Sequence, residues 1–273
     1  MKSSVKDIIR KRRSVRTFDE RPISKEDMQK LSEAFNKSDN PFGIPMEFRF
    51  LDAKKHALTS PVIIGTDCYV AAKINRVPMY EVAFGYSFEK FCLYATDLGI
   101  GTVMLGGTFN RSNFEKAMDI KESEVMAVAT PIGYPADKMS VREKLMRKGI
   151  KADERVPFET IFFDGSFAKG LTPDNAGNWR EALEMLRLAP SAANKQPWRV
   201  VVCGDTVHFY EKRAKGLSND AIGDMQKVDM GIGLAHFDLT LNENGITGEF
   251  VSNDPGFEVE ESTEYIISYE MKN

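Results

Sequence analysis

The chain has 273 residues, enough for one large domain or two small ones, and enough to bury roughly three quarters of its unfolded surface without disulfide or metal staples. Its 42% hydrophobic and 28% charged residues make an ordinary soluble composition, and a formal net charge of −3 argues against a general nucleic-acid binder.

Residues 4–13 read as a short helix ending in a basic cluster. "ISKEDMQKLSEAF" reads as a second helix, with Ser24 as its cap and Asp27 at capping-box spacing. "MEFRFLDA" and "PVIIGTDCYV" have strand composition. "EVAFGYSFEKFCLYATDLGIG" reads as a largely buried helix, stopped by Gly99 in a left-handed C-cap. A strand "GTVML", a turn at Gly106-Gly107, a short helix around "RSNFEKAM" and a strand through "SEVMAVATPIGYP" follow. "DKMSVREKLMRKGIKADER" is basic and reads as a solvated helical face. The second half runs through a helix "NWREALEMLRL", a hairpin "WRVVVCGDTVHFYEK" turning at Gly204-Asp205, and "DMGIGLAHFDLTLNENGITGEFV", a helix stopped by Asn244-Gly245 before a strand. "EYIISYEMK" is a last strand.

The halves overlay. Leu31 falls on Leu183 and Pro45 on Pro197, both at a shift of 152; Gly85 falls on Gly231 and Gly99 on Gly245, both at 146. Any chain that alternates helices and strands repeats itself loosely. Shared proline and glycine stops at near-constant shift favour a true duplication, one polypeptide folded as a pseudo-dimer. The expected boundary separates residues 1–160 from 161–273, packed as one structural unit.

Cys68, Cys92 and Cys203 are odd in number, far apart and set in or beside apolar runs. They read as core filler in a reducing compartment. His56, His208 and His236 have no metal-ligand spacing, so no metal is expected. No apolar run approaches a membrane span, and the start lacks a signal peptide's apolar core, so a cytoplasmic location is expected.

Two segments carry chemistry. In "RKRRSVRTFDERPISKED", Arg12, Arg13, Ser14 and Arg16 form a dense donor cluster, and guanidinium forks suit phosphate. A basic run alone is more often a solvated patch. In "APSAANKQPWRVVV", Ser191 and Asn194 offer a hydroxyl and an amide on a turn kept compact by Pro190 and Ala192. A flat heteroaromatic ring fits against such a backbone; the plainer alternative is a turn feeding a buried strand, with Trp198 as core.

Together, "RRSVRTFDERPIS" and "APSAANKQPWRVVV" resemble the two signature segments of the nitroreductase family of flavin enzymes, and "LGIGTVMLGGTFN" and "IGYPADK" are similar to two further family segments. The resemblance extends to a subgroup of single-chain, thermophile-type members. It implies an α+β nitroreductase-like fold, with mixed, mainly antiparallel sheets flanked by helices. In the family a homodimer holds FMN at its interface, between the basic segment of one subunit and the Pro-Ser turn of the other. Carried over, Arg12, Arg13, Ser14 and Arg16 would hold the FMN phosphate and the N1–C2 edge of the ring. Pro190, Ser191, Ala192 and Asn194 would face the ring from the other half, with Asn194 donating to a ring carbonyl. Gly106 and Gly107 would bring backbone close to N5. Arg155, in "ERVP", would add a late phosphate contact, although Asp153 stands where the family often has lysine.

Each half keeps what the other lacks. The first reads "SDNPFGIPM" where the turn motif belongs, and the second reads "FFDGSFAKGLTPD" where the basic cluster belongs. One FMN per chain is therefore expected. NAD(P)H would be the electron donor and a nitroarene or quinone the small-molecule acceptor, in a ping-pong cycle without a side-chain acid or base. Met79 and Tyr80 are either lid or core residues. The chain would be a monomeric pseudo-dimer or a weak homo-oligomer, without nucleic-acid or membrane partners. The rival reading is a flavin-binding protein that stores or senses without turnover. A Rossmann site is not expected, because "GIGLAH" lacks the third glycine and sits in a helical pattern.

Overall fold

The computed structural model describes residues 1–219 and 222–272. The first half contains α1 (Val5–Lys11), α2 (Lys25–Asn36), β1 (Met46–Asp52), α3 (Ala53–His56), β2 (Cys68–Asn75), α4 (Tyr80–Asp97), α5 (Arg111–Met118), β3 (Glu124–Val125), β4 (Ala129–Pro131), α6 (Val141–Gly149) and α7 (Phe158–Ile161). The second contains β5 (Phe162–Asp164), α8 (Arg180–Arg187), β6 (Trp198–Cys203), β7 (Thr206–Lys212), β8 (Ser218–Asn219), β9 (Gly223–Asp224), α9 (Met225–Glu243), β10 (Gly248–Val251) and β11 (Thr263–Met271).

The architecture is α+β. In the first sheet β2 pairs antiparallel with β1 on one side and with β3 and β4 on the other. The second runs β10-β11-β7-β6-β5, with antiparallel pairing except that β5 lies parallel to β6. β5 thus opens the second half and closes the edge of its sheet.

Between the sheets α4 and α9 pack against each other more extensively than any other pair of elements. Both are buried on nearly every side, as a helix sandwiched in a core must be. Their contact is reciprocal at the overlaid positions. A Cβ on Gly85 would lie 1.9 Å from the Val228 carbonyl oxygen, and one on Gly231 would lie 2.0 Å from that of Val82. Val82 and Val228 are themselves related by the shift of 146. The stops match too. Gly99 and Gly245 have φ of 77° and 74°, a left-handed conformation that suits glycine. Ile100 N–H returns to Ala95 O at 2.9 Å, and Ile246 N–H returns to Leu241 O at 2.9 Å.

Ser24 caps α2 as its spacing requires, accepting the Asp27 N–H at 3.0 Å. Three expectations shift. "PVIIGTDCYV" is not a strand throughout: β2 begins at Cys68, because residues 61–67 turn beneath the N-terminal segment, with Ile64 bridging Thr17. "GTVML" makes single bridges to three different segments rather than a ladder. "SEVMAVATPIGYP" splits into β3 and β4. Met79 and Tyr80 are partly buried against the main core at the start of α4. No described helix is long and apolar enough to cross a membrane.

Candidate functional site

Arg12 closes α1, and residues 14–18 then run extended. Ser14 bridges Thr102, with Val15 N–H donating to Thr102 O at 2.9 Å, and Phe18 bridges Pro135. Glycines permit this close fit. A Cβ on Gly101 would lie 2.9 Å from the Val15 side chain, and one on Gly133 would lie 2.8 Å from the Phe18 ring. The glycine-bearing segments "LGIGT" and "IGYP" thus form the bed on which the basic segment lies.

That bed opens into a cavity of about 500 Å³. Arg12, Ser14 and Arg16 line it from the N-terminal segment, Gly106 and Gly107 from the loop before α5, and Pro190, Ser191 and Ala192 from the turn after α8. Apolar walls come from both halves: Val103, Leu105 and Val128 from the first, and Leu217, Met225, Val228 and Ile232 from the second. Arg16 is buried, and neither its Nε nor its Nη1 has a hydrogen-bond partner among the described residues. Burial lowers its pKa, with Arg147 adding to this and Glu143 opposing it. Arg12 Nε likewise lacks a hydrogen bond, although Glu89 Oε1 stands 3.7 Å away. Buried guanidinium N–H groups without hydrogen bonds are costly, and an anion at this end of the cavity would satisfy them.

Three of the residues expected at the site do not line the cavity. Arg13 turns toward Glu143, with Nη1 3.9 Å from its Oε1. Asn194 spends its amide on the carbonyls of Lys151 and Glu154, at 2.8 and 3.1 Å. Arg155 donates to the carbonyls of Ala152, Glu154 and Leu188, from behind the turn. Asn194 and Arg155 therefore brace the turn against residues 151–155; their polar groups are already engaged there. Ser191 Oγ is also occupied, accepting the Gln196 N–H at 2.9 Å. These bonds hold three consecutive or near-consecutive left-handed residues, Ala193, Asn194 and Gln196, in a strained turn.

Other residues escaped the sequence reading. Asp229 on α9 accepts the Ala192 N–H on both oxygens and lines the cavity, as does Glu89 on α4. The signal was present in both cases: an acid in the middle of a largely apolar helix. Arg111 clamps the glycine loop, donating to Gly106 O at 2.8 Å and Ala127 O at 2.9 Å. Glu143, buried at the start of α6, accepts from the Thr17 hydroxyl at 2.7 Å. It pins α6 over the site, where Met146 and Ile150 join the lining. The segment expected to form a solvated helical face does so, with Met146 and Ile150 turned toward the cavity.

A protein-family profile described as "Putative TM nitroreductase" matches residues 4–241. The chain belongs to this nitroreductase family. It is an oxidoreductase by that membership, and its α+β architecture is nitroreductase-like. A "putative nitroreductase" structure from Thermotoga maritima superposes with a TM-score of 0.63 at 19% identity, covering 99% of this chain and 95% of that one. A nitroreductase family protein of Clostridium novyi (TM-score 0.42, 19% identity) covers 50% of this chain and 87% of its own. A nitroreductase with bound FMN from Desulfitobacterium hafniense (TM-score 0.42, 18% identity) covers 51% and 93%. No curated protein matches the sequence.

In this nitroreductase the positions overlaid on the cavity are packed. Tyr86 stands where the shift of 146 places Ile232, and its hydroxyl is bonded to Asp238. Asn40 stands opposite Ala192 in the overlay, and donates to Ile44 O at 2.7 Å and Ser87 Oγ at 3.0 Å. Phe42 meets Tyr86 edge-on at 6.1 Å and Phe250 at 5.7 Å. One aromatic side chain, Tyr86, thus occupies the equivalent of an open-wall position, with Phe42 packed against it.

Proposed function

We propose that the protein is an FMN-dependent oxidoreductase that takes electrons from NAD(P)H and passes them to electron-poor acceptors such as nitroaromatics or quinones. The half-reactions alternate at one site, with one FMN per chain. One observation carries the reading: guanidinium donors of Arg12 and Arg16 that make no hydrogen bond among the described residues meet an apolar slot walled by both halves of the chain.

The residues fit FMN. A cavity of about 500 Å³ has the capacity of a cofactor site. A phosphate or a ring edge would supply the acceptors that Arg12 Nε and Arg16 Nε and Nη1 lack. A Cβ on Gly107 would meet nothing within 4 Å, so backbone there stands open to a flat ring. Arg12, Ser14 and Arg16 would hold the phosphate and the N1–C2 edge, and Pro190, Ser191 and Ala192 would face the ring. Bound FMN would supply hydride acceptance and return. The chain's own part is to bind, orient and exclude water. Arg12 and Arg16 favour negative charge in the cavity, apolar walls from α9 keep it dry, and Met146 and Ile150 cover it. The packed equivalents around Tyr86 and Phe42 support a single site, and the reciprocal glycine contacts support a pseudo-dimer that needs no second copy to complete its cavity.

The test is flavin content followed by anaerobic titration. A yellow protein with about one FMN per chain that NAD(P)H bleaches supports the proposal. A colourless protein, or one with two tightly bound flavins, refutes it. Bound flavin that NAD(P)H does not bleach indicates storage or sensing instead.

A further inference from the structure

Glu89 and His236 face each other across the contact of α4 and α9, and both are fully buried. His236 Nε2 is 2.8 Å from Glu89 Oε1, and His236 Nδ1 is 2.9 Å from the Met185 carbonyl oxygen. A carbonyl oxygen only accepts, so Nδ1 carries a hydrogen. Nε2 and Oε1 then need one more proton between them, since two lone pairs at 2.8 Å would repel. The pair therefore exists in two forms of equal net charge: imidazolium with carboxylate, or imidazole with carboxylic acid.

The cavity decides between them. Glu89 lines it, Glu89 Oε2 has no hydrogen-bond partner among the described residues, and Arg12 Nε lies 3.7 Å from Oε1. Among the described residues, Arg12 from the end of α1 and Cys92, three residues along α4, interact electrostatically with Glu89. From α8 the pair receives a carbonyl.

We propose that Glu89 and His236 form an internal charge switch for Arg12. With the carboxylate form, Arg12 has its charge offset from behind. When negative charge builds in the cavity, the shared proton moves from Nε2 to Oε1. The N–H bond breaks and the O–H bond forms, the pair stays neutral overall, and no proton enters from solvent. Glu89 becomes uncharged, and the full charge of Arg12 faces the cavity. Glu89 and His236 are positioning residues that act through Arg12. The inference rests on the FMN reading, which makes reduction the event that adds negative charge.

The experiment uses the FMN-loaded protein labelled with ¹⁵N at histidine, followed by NMR before and after reduction with dithionite. His236 is assigned by loss of its signals in His236→Asn or, if that variant does not fold, by elimination with His56→Gln and His208→Gln. The expected result is an imidazolium Nε2 that becomes a neutral imidazole Nε2 on reduction, with His56 and His208 unchanged. An Nε2 signal of the same type in both states overturns the switch. A protein that binds no FMN overturns the functional reading and the switch together, and flavin content reveals this before any spectrum is taken. Glu89→Gln supplies a second readout. It leaves Arg12 permanently uncompensated, so the preference of the bound flavin for its reduced state rises about tenfold, or about 30 mV for a two-electron couple. An unchanged potential in a folded, FMN-loaded Glu89→Gln protein also overturns the switch.

Discussion

Asp229 accepts the backbone N–H of Ala192 on both carboxylate oxygens, each at 3.0 Å. One side chain on α9 thus fixes the turn that walls the cavity. Asp229→Ala removes the acceptor and strands a buried N–H, at a cost of about 1–3 kcal/mol. Asp229→Asn retains an acceptor and stays closer to wild type. Urea unfolding and FMN titration should rank the three proteins in that order; equal losses for both variants would show that the turn stands without this bond.

Glu211 predicts how stability varies with pH. It is fully buried, and burial pushes its carboxyl from 4.5 up to about 7, with Asp224 adding to the rise and Arg213 and Lys227 opposing it. The folded chain therefore holds this proton more tightly than the unfolded chain. The stability it contributes is complete below about 4.5, falls as pH rises through 7, and amounts to something on the order of 3 kcal/mol. Asp229 has the same sign, being raised chiefly by burial. Glu211→Gln should flatten the decline between pH 5 and 8 in thermal unfolding. A decline as steep as that of wild type would place its cause elsewhere.

Gly85 and Gly231 should respond alike to substitution. An added methyl at either would overlap a carbonyl oxygen of the facing helix, and backbone cannot yield as a flexible side chain can. Gly85→Ala and Gly231→Ala should each cost about 3 kcal/mol or more, the upper end for overpacking, which exceeds the gain of about 1 kcal/mol in helix propensity. Denaturant midpoints for the two single variants provide the check, and a mild effect at only one position would contradict the reciprocal geometry.

Arg16 separates stability from binding. Its buried guanidinium has unpartnered donors, so Arg16→Met should stabilise the flavin-free protein by about 1–3 kcal/mol while weakening FMN at least tenfold. Calorimetry of the flavin-free protein and fluorescence titration of FMN measure the two effects. A variant destabilised without FMN would assign Arg16 to the scaffold.

The two long helices were legible because apolar residues on every side and a left-handed glycine stop are local signals. So was the meeting of Arg12 and Arg16 with Pro190–Ala192, which the family segments carry. What was illegible depends on partners distant in sequence. The role of Asn194 is set by carbonyls at 151 and 154, about forty residues away. Residues 101–105 make one bridge each to Ser14, Gly133 and Ala129, and no window along the chain encodes such a path. In α6 the many lysines and arginines hid Met146 and Ile150, the residues that turn inward.

The order in which the cavity walls occur along the chain has a consequence for synthesis. A nascent chain that has reached residue 160 already carries Arg12, Ser14, Arg16 and the glycine loop, yet α9 and the turn at 190–192 are still unmade. Its basic end is exposed, and half the apolar wall does not exist. The pocket closes only once Ile232 has left the ribosome, with β5 waiting on β6 for its sheet. Completion of the cavity is thus a late event in the birth of the protein, and a truncated product lacks half of its walls.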